Sequence, residues 1–158
     1  MCGILGLVGS YDANLFKVNL NKMAHRGPDG FGVWTDEDCI LGHRRLSIID
    51  TSDRGKQPMK ILDRYVITFN GEIFNYLELR ETLTKNGYSF ISQSDTEVLL
   101  YSYLQWGVHC LQKLNGMWAF AIWDKVSKEL FLARDRIGEK PLFYLNHSEK
   151  FVFSSEMK

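Results

Sequence analysis

Two helix start signals stand back to back in the middle of the chain, and short strand-like runs occupy most of what surrounds them. Asn75 precedes Tyr76-Leu77-Glu78, and Asn86-Gly87 supplies a stop. Ser94-Asp95-Thr96-Glu97 has the form of a capping box, opening an apolar helix expected to reach about Trp106, with Gly107 behind it. A shorter helix is expected over Leu15 to Ala24, stopped by the turn Arg26-Gly27-Pro28-Asp29-Gly30. Strand-like runs rich in β-branched and aromatic residues are Ile4 to Val8, Phe31 to Thr35, Ile40 to Ile49 and Tyr65 to Phe69. Met117 to Trp123, Glu129 to Arg134, Leu142 to Tyr144 and Phe151 to Ser154 follow. Strands on both sides of a helix pair, with hairpin-like spacing at the C-terminal end, predict an α+β domain with antiparallel sheets.

Composition suits that reading. A chain of 158 residues, 45% hydrophobic and 13% aromatic, fits one domain able to bury roughly two-thirds of its unfolded surface. Nineteen basic residues balance nineteen acidic ones, which argues against a nucleic-acid or anionic-membrane partner. No apolar run approaches the roughly 18 residues of a membrane span, and no basic segment followed by an apolar core opens the chain. Cys2, Cys39 and Cys110 form no even framework, so a reducing, cytoplasmic setting is expected. The four histidines lack the spacing of a zinc pair, and no metal is expected.

Cys2 is the unusual residue. Gly3 is small, so methionine aminopeptidase can expose the Cys2 α-amine, giving one residue a thiol and a base with a reference pKa of about 7.7–8.0. The competing reading is a small hydrophobe at the start of a buried strand.

Met1-Cys2-Gly3-Ile4-Leu5-Gly6 looks like the start of class II glutamine amidotransferases, which are N-terminal nucleophile hydrolases. The blocks His25-Arg26-Gly27-Pro28-Asp29, Arg45-Leu46-Ser47-Ile48-Ile49-Asp50, Asn70-Gly71-Glu72-Ile73 and Ser94-Asp95-Thr96-Glu97 continue the match in order. Leu114 to Phe120 and Arg134 to Leu142 complete it. Together they resemble the glutaminase domain of glutamine-dependent asparagine synthetases, over essentially the whole chain. The resemblance implies a four-layer αββα sandwich with two antiparallel sheets. It also implies hydrolysis of L-glutamine to L-glutamate and ammonia through a Cys2 γ-glutamyl thioester.

By the same resemblance, the Asn70 side chain and the Gly71 N–H capture the oxyanion, Arg45 clamps the substrate carboxylate, and Asp95 and Glu72 meet its ammonium. The backbone from Leu46 through Ser47 and Ile48 to Ile49 lines the pocket. Each has a plainer reading on residues alone. Asn-Gly signals a hairpin turn, Arg45 stands beside Arg44 as a solvated strand residue, and Asp95 complements a helix dipole. Cys39 and Cys110 are expected to be core thiols.

Full-length asparagine synthetases carry a second domain with a Ser-Gly-Gly-x-Asp-Ser loop for ATP, and that loop is absent from this sequence. Residues 1–158 therefore read as the glutaminase domain alone, with an ATP-dependent synthetase domain expected downstream of Lys158 or as a separate subunit. No cofactor is expected in this domain, ATP and Mg being confined to the synthetase part. Asp135 to Leu142 is expected to contribute to the surface facing it, or to form a plain hairpin loop. A homo-oligomer is compatible with the resemblance. The alternatives are an amidotransferase with a non-aspartate acceptor such as a sugar, and a non-catalytic interaction module.

Overall fold

Period-two burial along the strands builds the architecture. On one strand, Trp118, Phe120 and Ile122 face one way while Ala119, Ala121 and Trp123 face the other, and both sets are buried. A strand apolar on both faces has to lie in an inner layer. The computed structural model describes residues 1–157 and shows two such sheets.

The elements in chain order are β1 Gly3–Val8, α1 Ala13–Lys22, β2 Gly30–Thr35, β3 Cys39–Arg45, β4 Met59–Ile61 and β5 Tyr65–Ile73. They continue with α2 Tyr76–Lys85, α3 Asp95–Trp106, β6 Gly116–Asp124, β7 Glu129–Arg134, β8 Phe143–His147 and β9 Lys150–Ser154. The first sheet runs β2-β3-β1-β9-β8 and the second β4-β5-β6-β7. Every strand pairing is antiparallel.

Three apolar layers separate four layers of structure, giving the expected αββα sandwich. Phe16 and Leu20 of α1 pack on Leu5 and Ile40 of the first sheet. Ile4, Leu41 and Phe153 meet Val66, Ala119, Ala121 and Trp123 between the sheets. Leu79 and Leu83 of α2 and Val98 and Leu99 of α3 cover Ile67, Phe69, Phe120 and Ile122. Each fully buried side chain of this kind contributes about 1.5–3 kcal/mol. Gly6 is required where it stands, because a Cβ there would lie 2.2 Å from the Phe153 ring on the neighbouring strand.

Several local expectations change. Asn75 makes no side-chain cap; its Oδ1 accepts from Asn115 N–H at 2.9 Å and its Nδ2 donates to Lys113 O at 2.9 Å. Ser94 does cap α3, accepting from Thr96 N–H at 3.1 Å. Glu97 does not close the box: its carboxylate accepts from the N–H groups of Ile91 and Ser92 and from Ser92 Oγ, tying down the approach to the helix. The run expected as a strand from Ile40 to Ile49 ends at Arg45. The short β4 and the 3₁₀ turns at Asp53–Gly55 and Gly107–Gln112 carried no sequence signal. Cys39 and Cys110 are buried free thiols, both pushed up by desolvation. No described helix is long and apolar enough to cross a membrane.

Candidate active site

A cavity of about 230 Å³ opens where the two sheets part at one end, and Cys2 lines it. Cys2 sits just ahead of β1, where Gly3 pairs with Arg44 of β3. Its thiol is held by one residue: Leu46 N–H donates to Sγ at 3.3 Å, and the S–H donates to Leu46 O at 3.6 Å. Arg26 Nε donates to the Cys2 carbonyl at 2.9 Å. Burial pushes the thiol above its ordinary pKa, and the Leu46 N–H, the terminal ammonium and Arg45 pull it back in part. Met1 lines the same cavity, and in the unprocessed chain its peptide bond makes the Cys2 nitrogen an amide.

Residues 46–55 are shaped by two carboxylates. Asp29 accepts from Ser47 N–H at 2.8 Å. Asp50 accepts from Ser52 N–H and Oγ, and from Gln93 N–H at 2.8 Å, which joins this loop to the approach to α3. Arg45 donates to Ser52 O at 3.0 Å and to Asp50 O. Two contacts leave guanidinium donors over for a ligand. Leu46, Ser47, Ile48 and Ile49 all line the cavity from this loop.

Asn70 and Gly71 are neither a hairpin turn nor a strand end. They lie inside β5, paired with Ala119 and Trp118 of β6. Asn70 is 1% exposed, and among the described residues its Nδ2 has no hydrogen-bond acceptor. A buried amide left unpaired costs about 1–3 kcal/mol, so a donor aimed into a cavity is a ready-made receptor for an oxygen. Gly71 has no room for a side chain: a Cβ would lie 2.2 Å from Met117 O.

Asp95, the first residue of α3, accepts from Ile73 N–H at 3.0 Å and is 5% exposed. Burial pushes its carboxyl up to about 6, with Glu72 adding to the rise and the Ile73 and Thr96 N–H groups opposing it. Relative to an ordinary 3.8, the folded chain keeps a proton between about pH 4 and 6 that the unfolded chain has released. This stabilisation is present below pH 4 and is lost as pH rises through 6, leaving a penalty of about 2–3 kcal/mol at neutral pH. Asp95→Asn keeps an acceptor for Ile73. It is expected to stabilise the chain by about 1–2 kcal/mol at pH 7.5 and by almost nothing at pH 4. Urea unfolding at the two pH values measures this, and equal gains at both would contradict it.

The structure thus gathers Cys2, Arg45, Leu46, Ser47, Ile48, Ile49, Asn70, Gly71, Glu72 and Asp95 around one cavity. It adds residues that the sequence reading missed. Gln57 bridges β5 to α3: its Oε1 accepts from Phe69 N–H at 2.7 Å, and its Nε2 donates to Thr96 Oγ1 at 3.1 Å. His43 is buried and held down at about 4 by desolvation. The neutral ring donates from Nε2 to Phe69 O at 3.0 Å, and Thr68 Oγ1 donates to Gly42 O at 3.0 Å, so the sheets are pinned together beside the cavity. His43 was findable, since Cys39, Leu41, His43 and Arg45 alternate along one strand face. Gln57 carried no comparable signal.

Lys140 also reaches the cavity and is 7% exposed. The Asp135 carboxylate organises its loop, accepting from the N–H groups of Trp118, Ile137, Gly138, Glu139 and Lys140. Asp135 to Leu142 is therefore two-faced, with Lys140 directed inward and Ile137 86% exposed. Among the described residues no group of His, Cys, Asp and Glu is placed to hold a metal ion.

The family model for the glutamine amidotransferase domain matches residues 1–158. The chain belongs to the glutamine amidotransferase domain family. Asparagine synthetase [glutamine-hydrolyzing] 3 of Bacillus subtilis is 42% identical over all of this chain and 27% of its own length. A putative asparagine synthetase [glutamine-hydrolyzing] 2 of Methanocaldococcus jannaschii is 41% identical, again over all of this chain and 34% of its own length. The chain thus spans about a quarter to a third of the length of these relatives. A glutamine phosphoribosylpyrophosphate amidotransferase from B. subtilis, solved with ADP and GMP, superposes with a TM-score of 0.83 at 25% identity. That match covers 98% of this chain and 42% of the other. The αββα sandwich is that of the N-terminal nucleophile amidotransferases.

Proposed function

We propose that this domain hydrolyses L-glutamine to L-glutamate and ammonia through a Cys2 γ-glutamyl thioester. The observation that carries this reading is the buried Asn70 Nδ2, which has no acceptor among the described residues, in the same cavity as the Cys2 thiol. A nucleophile and an oxyanion donor facing one small space are the minimum equipment for acyl transfer.

With Met1 removed, the Cys2 α-amine takes the thiol proton, and the thiolate attacks the γ-carbonyl carbon of glutamine. The oxyanion that forms is met by Asn70 Nδ2–H and the Gly71 N–H. The amine returns its proton to the amide nitrogen, the C–N bond breaks and ammonia leaves. Water, deprotonated by the same amine, then attacks the thioester carbonyl, and the C–S bond breaks to release glutamate and the thiol. Arg45 holds the substrate carboxylate with a planar fork that Lys could not reproduce. Asp95 and Glu72 hold its ammonium, which offsets the cost of burying the Asp95 charge.

The ammonia would pass to an ATP-dependent synthetase partner, either a further domain or a separate subunit, with ATP and magnesium belonging to that partner. Identity of 42% to a glutamine-hydrolysing asparagine synthetase favours aspartate over a sugar as acceptor, set against 25% to the phosphoribosylpyrophosphate enzyme.

Incubating the Met1-free chain with L-glutamine should release glutamate and ammonia in equal amounts. Asn70→Ala is expected to lower kcat by about 10²–10³-fold with little change in KM, because its contact strengthens only as the oxyanion forms. No glutamate from the processed chain would sink the reading, and an unchanged kcat in Asn70→Ala would remove that residue from it.

A further inference from the structure

The end of the described chain is tied to β1 and, through Arg26, to the residue that carries the thiol. Beyond the β1–β9 ladder, Ile4 N–H donates to Ser155 Oγ at 3.0 Å and Ser155 N–H donates to Ile4 O at 2.9 Å. One residue further on, Glu156 Oε1 lies 3.3 Å from Arg26 Nη1 and 2.8 Å from His25 Nε2. Arg26 uses its remaining reach to donate from Nε to the Cys2 carbonyl at 2.9 Å. The Arg26 and Glu156 side chains are 10% and 16% exposed, so the pair is largely shielded from water, whereas His25 is 53% exposed.

We propose that Glu156 is a positioning residue for Cys2, acting through Arg26, a role that rests on the glutaminase reading above. A residue at a free N-terminus has no preceding peptide to hold it. Its amine swings unless the following peptide plane and the side chain are both anchored. Leu46 anchors the sulfur. Arg26 anchors the Cys2–Gly3 peptide plane by its carbonyl, and Glu156 fixes the guanidinium that does so. With the carbonyl and the sulfur both held, the Cα is fixed and the amine is confined near its own thiol. An internal base works only in that geometry, and displacement by about 1 Å is enough to cost roughly 10²-fold in rate.

The test uses residues 2–158, confirmed by intact mass to lack Met1. Glutamine hydrolysis is measured beside the rate of Cys2 alkylation by iodoacetamide, which needs no glutamine. Glu156→Ala is expected to lower kcat about tenfold with KM within about twofold, and to slow alkylation of Cys2 severalfold. Glu156→Gln keeps an acceptor for Arg26 Nη1 and is expected to stay within about twofold of the parent in both assays. Parent-like kcat and alkylation in Glu156→Ala overturn the proposal. So does a Gln variant as impaired as the Ala variant, or a loss confined to KM. If Glu156→Ala does not fold, Arg26→Lys carries the same test. It keeps a charge for Glu156 but lacks the Nε that reaches Cys2, and a parent-like kcat in it overturns the proposal. A parent chain that alkylates at Cys2 yet releases no glutamate defeats the glutaminase reading instead, and the alkylation rates of the variants still decide the clamp.

Discussion

Cys2→Ala is expected to abolish glutamate release, by at least about 10⁴-fold, while leaving the fold in place. The size follows from the lack of any substitute nucleophile. The other thiols, Cys39 and Cys110, are 0% exposed in the apolar layers, and desolvation pushes both well above the range in which a thiolate forms. The structural cost is small, because the thiol contributes only the long S–H contact to Leu46 O and acceptance from Leu46 N–H. Leaving that half-buried N–H without its partner costs about 1–2 kcal/mol. Two measurements check this: glutamate formation against time, and mass mapping after treatment with a glutamine-mimicking diazoketone. The parent should be labelled at Cys2 alone and the variant nowhere. Persistent turnover in Cys2→Ala, with a cooperative unfolding transition like the parent's, would mean that the chemistry is elsewhere.

Retention of Met1 is expected to lower kcat by about 10²–10⁴-fold even though the cavity is fully formed. An amide nitrogen cannot accept the thiol proton, and burial pushes that thiol above its ordinary pKa, so at neutral pH the sulfur stays protonated. Glu72 and Asp95 also line the cavity, but a carboxylate is a weaker base than an amine, even with Asp95 raised to about 6. Among the described residues His43 is the one imidazole lining the cavity; its Nε2–H donates to the Phe69 carbonyl and its Nδ1 has no partner. Desolvation holds the ring down at about 4, too weak a base for a thiol pushed above its ordinary pKa. Met1 also lines the cavity, so its retention leaves bulk beside the thiol as well as removing the base. Processed and unprocessed preparations, each defined by intact mass, are compared to check the combined effect. Iodoacetamide should label Cys2 more slowly in the unprocessed form, as expected of a thiol without its base. Equal glutamate release by the two forms would show that the α-amine is not the base.

The residues around the cavity were legible through the resemblance, because short local blocks match the family in order, whereas residue types alone left the plainer readings open. Arg45 with Leu46 to Ile49, Asn70-Gly71-Glu72 and Asp95 are short runs whose residue types suit an amino-acid amide, and they all line one space. Their conformations were less legible. Asn70-Gly71 carries the local signature of a turn, yet it stays extended because Ala119 and Trp118 of β6 pair with it. Pairing across the sheet outweighs the preference of a dipeptide. Asn75 and Glu97 match capping patterns by type and spacing, yet each side chain is drawn to partners outside the pattern. Asn75 bonds to the chain at Lys113 and Asn115, and Glu97 to the turn at Ile91 and Ser92.

By itself, the sequence determined an α+β class with antiparallel sheets and the chemical kinds of group available to the site, while the four-layer sandwich was implied by the resemblance to a family. The first follows from the order of strand-like and helix-like runs and the second from side-chain chemistry, which are properties of short stretches. Only the tertiary structure decided what surrounds the thiol. The Leu46 cradle, the Gln57 bridge, the inward Lys140 and the Glu156–Arg26 hold on Cys2 join residues far apart in the chain. The tertiary structure also leaves the Asn70 amide without an acceptor among the described residues and raises the Asp95 carboxyl to about 6. Both are effects of burial, and burial at these positions is settled by how two sheets meet, which no local stretch of residues encodes.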